Sequence, residues 1–307
     1  MSLFLDLLIK VLPLYFMIGL GFYAGRLMQI SQQHIADFTI YFVNPVVLFC
    51  MVWQADLSRI EAVIIPVMTL VFMLIVAGGA FLYGHFAWPG DRHKNLLAGQ
   101  VMNGNSGYFG VPVAFALFPP EIANLWILAM LVSTILQVSL GYYLFATGNM
   151  SPLDGLKRLL KLAPFYAMIG GLLVNIAGIP WQEGLEPTYD MFIGAYFVLG
   201  MSIIGLSLSK LNISHFDLKY IGHAMIWRFM IWPILVIGFI LFDQAILQSM
   251  SPEYYGLILL LGLLPIAADS AAYTVQLKFY PEKAAAAILI STLIALIYIP
   301  TIMVLFL

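Results

Sequence analysis

The stretch NGNSGYFGVPVAFALF, residues 103–118, lies inside an apolar segment that is long enough to cross a membrane. Its first ten residues include two Asn, one Ser, three Gly and a Pro. Hydrocarbon offers no hydrogen-bond partner, so irregular backbone persists at this depth only where protein or a water-filled cavity satisfies it. The stretch therefore predicts a broken membrane helix with a polar site at the break. The alternative is a kink that serves only tight helix packing.

The composition indicates the class of protein. Of the 307 residues, 63% are hydrophobic and 9% are charged, whereas a soluble domain carries roughly 25% charged residues. A soluble fold of this length has too little interior to bury so much apolar surface. The single cysteine, Cys50, excludes an intramolecular disulfide and a metal site built from several cysteines. We therefore expect an all-α polytopic membrane protein that is embedded in the lipid bilayer.

Apolar runs of about 20 residues, separated by short polar or Pro/Gly-containing breaks, predict ten transmembrane helices. The predicted spans are 5–27, 36–54, 62–86, 95–118, 121–147, 163–180, 188–208, 218–243, 254–277 and 282–307.

The positions of Lys and Arg predict the orientation in the membrane. Lys10 and Arg59 fall on one face and Arg228 lies within a span. The other face carries ten: Arg26, Arg92, Lys94, Lys157, Arg158, Lys161, Lys210, Lys219, Lys278 and Lys283. Loops rich in Lys and Arg stay in the cytoplasm. We therefore expect a multi-pass protein of the plasma membrane (the inner membrane of a bacterium), with both termini on the non-cytoplasmic side.

Two sequence stretches indicate an internal repeat. FALFPPE (115–121) and LKFYPEK (277–283) each follow a broken span and precede a long apolar helix that contains a Ser-Thr pair. Residues 1–147 and 163–307 would then be two five-helix repeats, joined by a cytoplasmic linker at 148–162. An odd number of spans per repeat makes the second repeat inverted, which is the usual plan of secondary transporters. The alternative is that Pro-bounded turns recur in any helical bundle.

The first break is expected to be caused by Pro112, which has no N–H and leaves the Tyr108 carbonyl without its donor. Gly104, Gly107 and Gly110 make unwinding cheap. A half-helix that begins after Pro112 would point its partially positive N-terminal end at a carboxylate.

Neutral and charged polar groups flank the two breaks. Asn103, Asn105 and Ser106 can donate and accept hydrogen bonds without placing a charge in the bilayer. In the second half, Pro265 interrupts the span GLLPIAADSAAYTVQ, and Asp269 is a carboxylate well inside it. Ionisable residues inside a membrane are by default functional. The alternative for Asp269 is a packed carboxylate that is protonated or paired.

Four motifs carry a resemblance to a known family. NSGYFGVPVAFALF (105–118), NPVVLF (44–49), WRFMIWP (227–233) and STLIALIYIP (291–300) resemble elements of the auxin efflux carrier family, which includes bacterial organic-acid permeases and plant PIN-type carriers. The resemblance implies ten helices in two inverted repeats, with crossed broken helices 4 and 9 as in the bile-acid symporters. It also implies a homodimer.

The resemblance carries over to some site residues and not to others. It places Asn103, Asn105, Gly107, Gly110 and Pro112 at the fourth-helix crossover and Asn44-Pro45 in the second-span element. Where PIN-type carriers have a second proline in the ninth helix, this chain has Asp269-Ser270, and Ile203-Ile204 replaces a seventh-span proline. The second half is therefore expected to be less sharply broken. The full predicted substrate-binding set is Asn44, Pro45, Asn103, Asn105, Ser106, Gly107, Gly110, Pro112, Pro265, Asp269 and Ser270.

We interpret the chain as a secondary active transporter of small organic anions that works by alternating access. It carries no phosphate-binding loop, so uphill transport would use a gradient of H⁺ or Na⁺. Asp269 and Arg228 are the coupling candidates, and Asn105, Asp269 and Ser270 could form a sodium site. Arg228 could instead snorkel or pair with backbone carbonyls.

Two other functions remain open: a sodium-coupled symporter of amphipathic acids like the bile-acid carriers, and a ligand-sensing membrane module that does not transport. We find no pattern for an enzyme, a cofactor, a resident metal ion or nucleic-acid binding.

Overall fold

The computed structural model describes residues 3–146, 153, 157, 160, 163–209 and 216–306. Most of the predicted linker at 148–162 lies outside these residues, as do Arg158, Lys161 and Lys210. The described part of the chain is helical and contains no β-strand, apart from one isolated bridge between two residues.

The helices follow the predicted apolar runs closely. In chain order they are α1 (Leu3–Leu27), α2 (Gln32–Gln54), α3 (Glu61–Ala87), α4 (His93–Val101), α5 (Ser106–Leu117), α6 (Pro120–Phe145), α7 (Ala163–Ile176), α8 (Glu186–Ser209), α9 (Leu218–Leu247), α10 (Pro252–Leu263), α11 (Asp269–Gln276) and α12 (Pro281–Phe306).

Within the described residues, seven helices are long and apolar enough to cross a membrane by length and composition: α1, α2, α3, α6, α8, α9 and α12. The helices α5, α7 and α10 are apolar but shorter. The prediction of an all-helical polytopic membrane protein is confirmed. The count of ten spans stays a prediction.

The packing partners of the helices correspond between the two halves. In the first half, α1 packs along α8 of the second, and α3 contacts α4 and α6. In the second half, α7 packs along α2 of the first, and α9 contacts α10 and α12. Glycine permits the closest of these approaches. A Cβ on Gly205 would overlap the backbone of α1, and one on Gly171 would lie 2.5 Å from the Phe49 carbonyl oxygen. Two repeats of five helices would produce this correspondence, although the inverted layout itself stays a prediction.

Three prolines inside the helices are each preceded by a π turn, a wider turn with i→i+5 hydrogen bonds. Pro45 follows Thr39–Val43, Pro112 follows Ser106–Gly110, and Pro233 follows Trp227–Ile231. A proline removes one backbone donor and its ring crowds the carbonyl four residues earlier, and a π turn relieves that crowding. At Pro233 the carbonyl concerned is that of Phe229, which accepts a hydrogen bond from the Tyr298 hydroxyl instead (2.6 Å).

The helix ends meet in two groups. In one group, Ser251 donates its backbone N–H to Glu61 (2.9 Å), and Arg59 lies 3.6 Å from a Glu253 carboxylate oxygen. The other group joins the ends of α3, α4, α9 and α12, where Lys283 lies 2.7 Å from Asp217 and the Lys219 ammonium donates to the Ala87 carbonyl. The second group contains cations assigned above to the basic face. That this face is cytoplasmic, and both termini are not, stays a prediction.

Candidate functional site

The two interruptions predicted from the sequence lie side by side. Between α4 and α5, the Asn105 backbone N–H donates to the Pro265 carbonyl (2.8 Å). Between α10 and α11, the Ala267 N–H donates to the Asn103 carbonyl (3.2 Å). These two bonds form an antiparallel bridge between Gly104 and Ile266. Each break therefore supplies backbone partners to the other, which meets the requirement for irregular backbone away from water.

Side chains satisfy further backbone groups of the second break. The Ile266 N–H donates to Ser291 Oγ on α12 (3.0 Å). Arg228 on α9 donates from Nη2 to the Leu261 carbonyl (2.8 Å) and from Nε to the Leu264 carbonyl. The C-terminal carbonyls of a helix attract a cation, so Arg228 closes the end of α10.

Arg228 is fully buried and is held on several sides. Its guanidinium lies against Gly104 of the first break and 4.8 Å from the centroid of the Trp232 ring. Trp232 in turn donates its indole N–H to the Val101 carbonyl at the end of α4 (2.6 Å). Among the described residues no carboxylate pairs with Arg228, and its Nη1 has no hydrogen-bond partner. The geometry matches the alternative in which Arg228 pairs with backbone carbonyls.

The expectation that a half-helix begins after Pro112 is wrong. The helix resumes at Ser106, six residues earlier, because Asn105 caps it by accepting a hydrogen bond from the Phe109 N–H on its Oδ1 (3.3 Å). The π turn at Ser106–Gly110 then accommodates Pro112 without a second interruption. Pro112 therefore lies within α5 and not at its start.

The expectation of a less sharp second break is also wrong. Residues 264–268 separate α10 from α11, and residues 102–105 separate α4 from α5. The second break needs no additional proline because Arg228 and Ser291 satisfy its backbone groups from neighbouring helices.

Asp269 and Ser270 follow the second break and have opposite environments. Asp269 begins α11, where the partial positive charge of the helix start favours a carboxylate. The residue has accessible surface, although neighbouring protein groups surround its carboxylate. Tyr108 and Tyr196 are buried and lie close enough to interact electrostatically with Asp269. Asp269 is thus an accessible residue that adjoins two buried tyrosines.

Ser270 is fully buried and already engaged in two hydrogen bonds. Its hydroxyl donates to the Ala267 carbonyl (2.8 Å) and accepts from Gln100 Nε2 (3.0 Å). Gln100 also donates to the Ala284 carbonyl on α12 (3.1 Å) and accepts from the Tyr220 hydroxyl on α9 (2.6 Å). Gln100 therefore connects α4, α9, α11 and α12 beside the site, and Ser270 is part of that connection.

Several buried polar atoms near the breaks have no hydrogen-bond partner. They are Asn103 Oδ1, Asn105 Nδ2 and the Tyr196 hydroxyl. A Cβ on Gly107 would lie 3.3 Å from that hydroxyl, which places Tyr196 beside the start of α5. Buried polar groups are normally paired, so these atoms give the site unused capacity to donate and accept.

The remaining predicted residues are placed as follows. Gly110 lies against the Trp126 ring, whose indole N–H donates to the Ser106 carbonyl (2.8 Å). Asn44 is buried on α2 and its Oδ1 has no partner, and none of the hydrogen bonds among the described residues joins Asn44 or Pro45 to either break.

Sequence reasoning missed Gln100 and Trp126, which hold the breaks, and Tyr196, which borders the first break. It noted Ser291 only as a mark of the repeat. Each of these residues is a polar or amphipathic side chain within an apolar run, and the sequence shows that much. It does not show which group each side chain contacts. The described residues contain no group of three or more His, Cys, Asp or Glu that could hold a metal ion.

Comparison with known proteins gives one result on the family. A family model described as membrane transport protein matches residues 6–303, which is nearly the whole chain. No curated protein matches the chain in sequence.

Proposed function

Because the chain belongs to the membrane transport protein family, the auxin efflux carrier and PIN-like family, we propose that it is a secondary active transporter of small organic anions. Transport would proceed by alternating access, with ten spans in two inverted repeats around broken helices 4 and 9. We place it in the plasma membrane with both termini outside the cytoplasm.

One observation carries the proposal: the two breaks pair through their backbones directly beside Asp269, an accessible acidic residue. The helices α5 and α11 both begin at this point. The first N–H groups of a helix lack internal partners and carry partial positive charge, so they favour an anion. The unpaired Asn103 Oδ1 and Asn105 Nδ2 add a neutral acceptor and a neutral donor.

The charge of Asp269 requires a coupling cation. Two like unit charges 4 Å apart repel by about 4 kcal/mol at an effective dielectric of 20, which weakens binding of an anion by roughly a thousandfold. A proton on Asp269, or a sodium ion beside it, removes this repulsion. Substrate and cation therefore bind better together than separately, which is the thermodynamic basis of symport.

The proton is the better supported coupling ion. Of the three oxygens proposed for a sodium site, Ser270 Oγ already takes part in two hydrogen bonds and Asn105 Oδ1 accepts the Phe109 N–H, so each has only one lone pair left for a cation. A proton needs only one such oxygen, and the Asp269 carboxylate can supply it alone, whereas a sodium ion needs several. We therefore propose Asp269 as the proton-carrying group and Arg228 as the residue that positions the second break.

The test is Asp269→Asn in proteoliposomes, with Asp190→Asn on α8 as the matched control. The wild type and the control should show organic-anion uptake that depends on the imposed pH gradient. The Asp269→Asn variant should still exchange substrate in counterflow but should lose gradient-driven uptake. Uptake by this variant with unchanged pH and sodium dependence would exclude Asp269 as the coupling group. Binding without any counterflow in the wild type would instead favour a sensor.

A further inference from the structure

α6 contains a π turn that no proline explains. The turn covers Gln137–Gly141, near the C-terminal end of α6, and the helical residues that follow it contain no proline. The turns before Pro45, Pro112 and Pro233 have an evident local cause, but this one does not. Single π turns inside helices are frequent at functional sites.

Gln137, the first residue of this turn, is buried with both ends of its amide unpaired. Its side chain is 2% exposed, and neither Nε2 nor Oε1 has a hydrogen-bond partner. A buried amide without partners loses its hydration and gains nothing in return. Because buried polar groups in native proteins are normally paired, a bound molecule is expected to supply the hydrogen-bond partners of this amide.

The position of Gln137 places it beside the first break. A Cβ on Gly141 would lie 3.1 Å from Gln137 Oε1 and 3.3 Å from Cε, the methyl carbon of Met102. Met102 immediately precedes Asn103, whose Oδ1 is also unpaired. The turn at Gln137–Gly141 therefore packs against the residue that leads into the first break.

The same face of α6 continues along the proposed substrate site. Met130 lies two helical turns before Gln137 and comes within 3.4 Å of a Cβ placed on Gly107. One turn after Gln137, the Tyr142 ring lies 5.3 Å from that of Tyr273, which lies one turn after Asp269 on α11. Gln137 thus lies on α6 between Met130, which borders the helix after the first break, and Tyr142, which contacts the helix after the second break.

We propose that Gln137 is a substrate-binding residue that recognises a hydroxyl group on the transported organic anion. This inference rests on the proposed function and names its substrate class: small carboxylates that carry a hydroxyl. A primary amide offers one donor and one acceptor side, and a hydroxyl both accepts and donates. A carboxylate only accepts, so it would leave Gln137 Oε1 unpaired.

The experiment compares matched acids on the purified protein. Lactate is paired with propionate, and malate with succinate, so that each pair differs by a hydroxyl. Binding is measured by thermal shift on the wild type, on Gln137→Leu and on the control Gln54→Leu, which removes an amide with an unpaired Nε2 on α2. Gln137→Met, which keeps the length of the side chain, provides a second variant if Gln137→Leu does not yield folded protein.

The wild type and the Gln54→Leu control should bind the hydroxylated acid of a pair more tightly. The Gln137 variants should lose about tenfold in affinity for it, the effect of one buried hydrogen bond to a neutral group, and should bind the plain acid as before. The unliganded Gln137→Leu protein should also unfold at a higher temperature than the wild type, because the unpaired amide is gone. A purely structural glutamine would change stability in the opposite direction and leave the ratio of affinities unchanged.

The outcomes separate the inference from the proposed function. If the wild type binds carboxylates but Gln137→Leu keeps the wild-type ratio, or if the wild type prefers the plain acids, the role of Gln137 is refuted and the transport proposal stands. If none of the four acids binds the wild type, both are overturned.

Discussion

Gly104→Ala tests the central contact of the site, the close approach of the two breaks. Gly104 does not have a positive φ angle, so an alanine fits the backbone and only the available space decides the outcome. The new Cβ would lie 2.8 Å from Leu264 Cβ and would overlap Nη2 of Arg228. Carbon atoms in proteins essentially never approach to 2.8 Å without bonding, so the two breaks would have to separate.

The expected change in the free energy of unfolding of Gly104→Ala follows from two opposing effects. Overpacking a well-packed interior costs about 1–3 kcal/mol. Replacing glycine by alanine makes the unfolded chain less flexible, which stabilises the protein by about 0.4–1 kcal/mol. We expect a net loss of about 1–2 kcal/mol in the free energy of unfolding, together with weaker hydrogen bonds between Asn105 and Pro265 and between Asn103 and Ala267.

The assay is thermal unfolding of the purified protein in one detergent, beside transport in proteoliposomes. The control is Gly222→Ala on α9, where a Cβ would meet nothing within 4 Å. This control should be as stable as the wild type or more stable by up to about 1 kcal/mol, and the Gly104→Ala protein should unfold at a clearly lower temperature. If the two variants have the same unfolding midpoint, the breaks are not in contact and the site described here does not exist.

Two further predictions concern the support of the fold. Tyr298→Phe removes the hydroxyl that replaces the missing donor at Pro233, so the free energy of unfolding should fall by about 1 kcal/mol; an unchanged unfolding midpoint would show that the Phe229 carbonyl has another partner. Partial burial opposes ionisation of Asp91, but the hydrogen bond from Tyr280 and the contact with His93 outweigh it and lower the pKa of Asp91 to about 2. The stabilisation from Asp91 should therefore be complete above the unfolded-state pKa of 3.8 and be lost as the pH falls towards 2. Tyr280→Phe should be less stable than the wild type at pH 6, and the two should converge near pH 2; an equal difference at both pH values would contradict this assignment.

The sequence alone determined the class of the protein, the position of both breaks to within a few residues, and the presence of a carboxylate next to one of them. These features are local. Apolar runs report burial in lipid residue by residue, a proline removes its own backbone donor, and clustered Asn, Ser and Gly are unusual wherever they occur in a membrane span. The four family motifs could be recognised for the same reason, since each is a short contiguous stretch.

Only the tertiary structure decided how the breaks are held and which side chains complete the site. The start of α5 at Ser106 depends on a capping hydrogen bond that competes with the effect of Pro112, and local rules do not rank the two. Arg228 could be recognised as a buried cation, but the carbonyls that it binds lie 33 and 36 residues away. The hydroxyl of Ser270 is held by Gln100, which is 170 residues distant along the chain. Hydrogen bonds over such separations form only when the packing of apolar helices brings their ends together, so the sequence specifies which polar groups need partners and the fold specifies which partners they find.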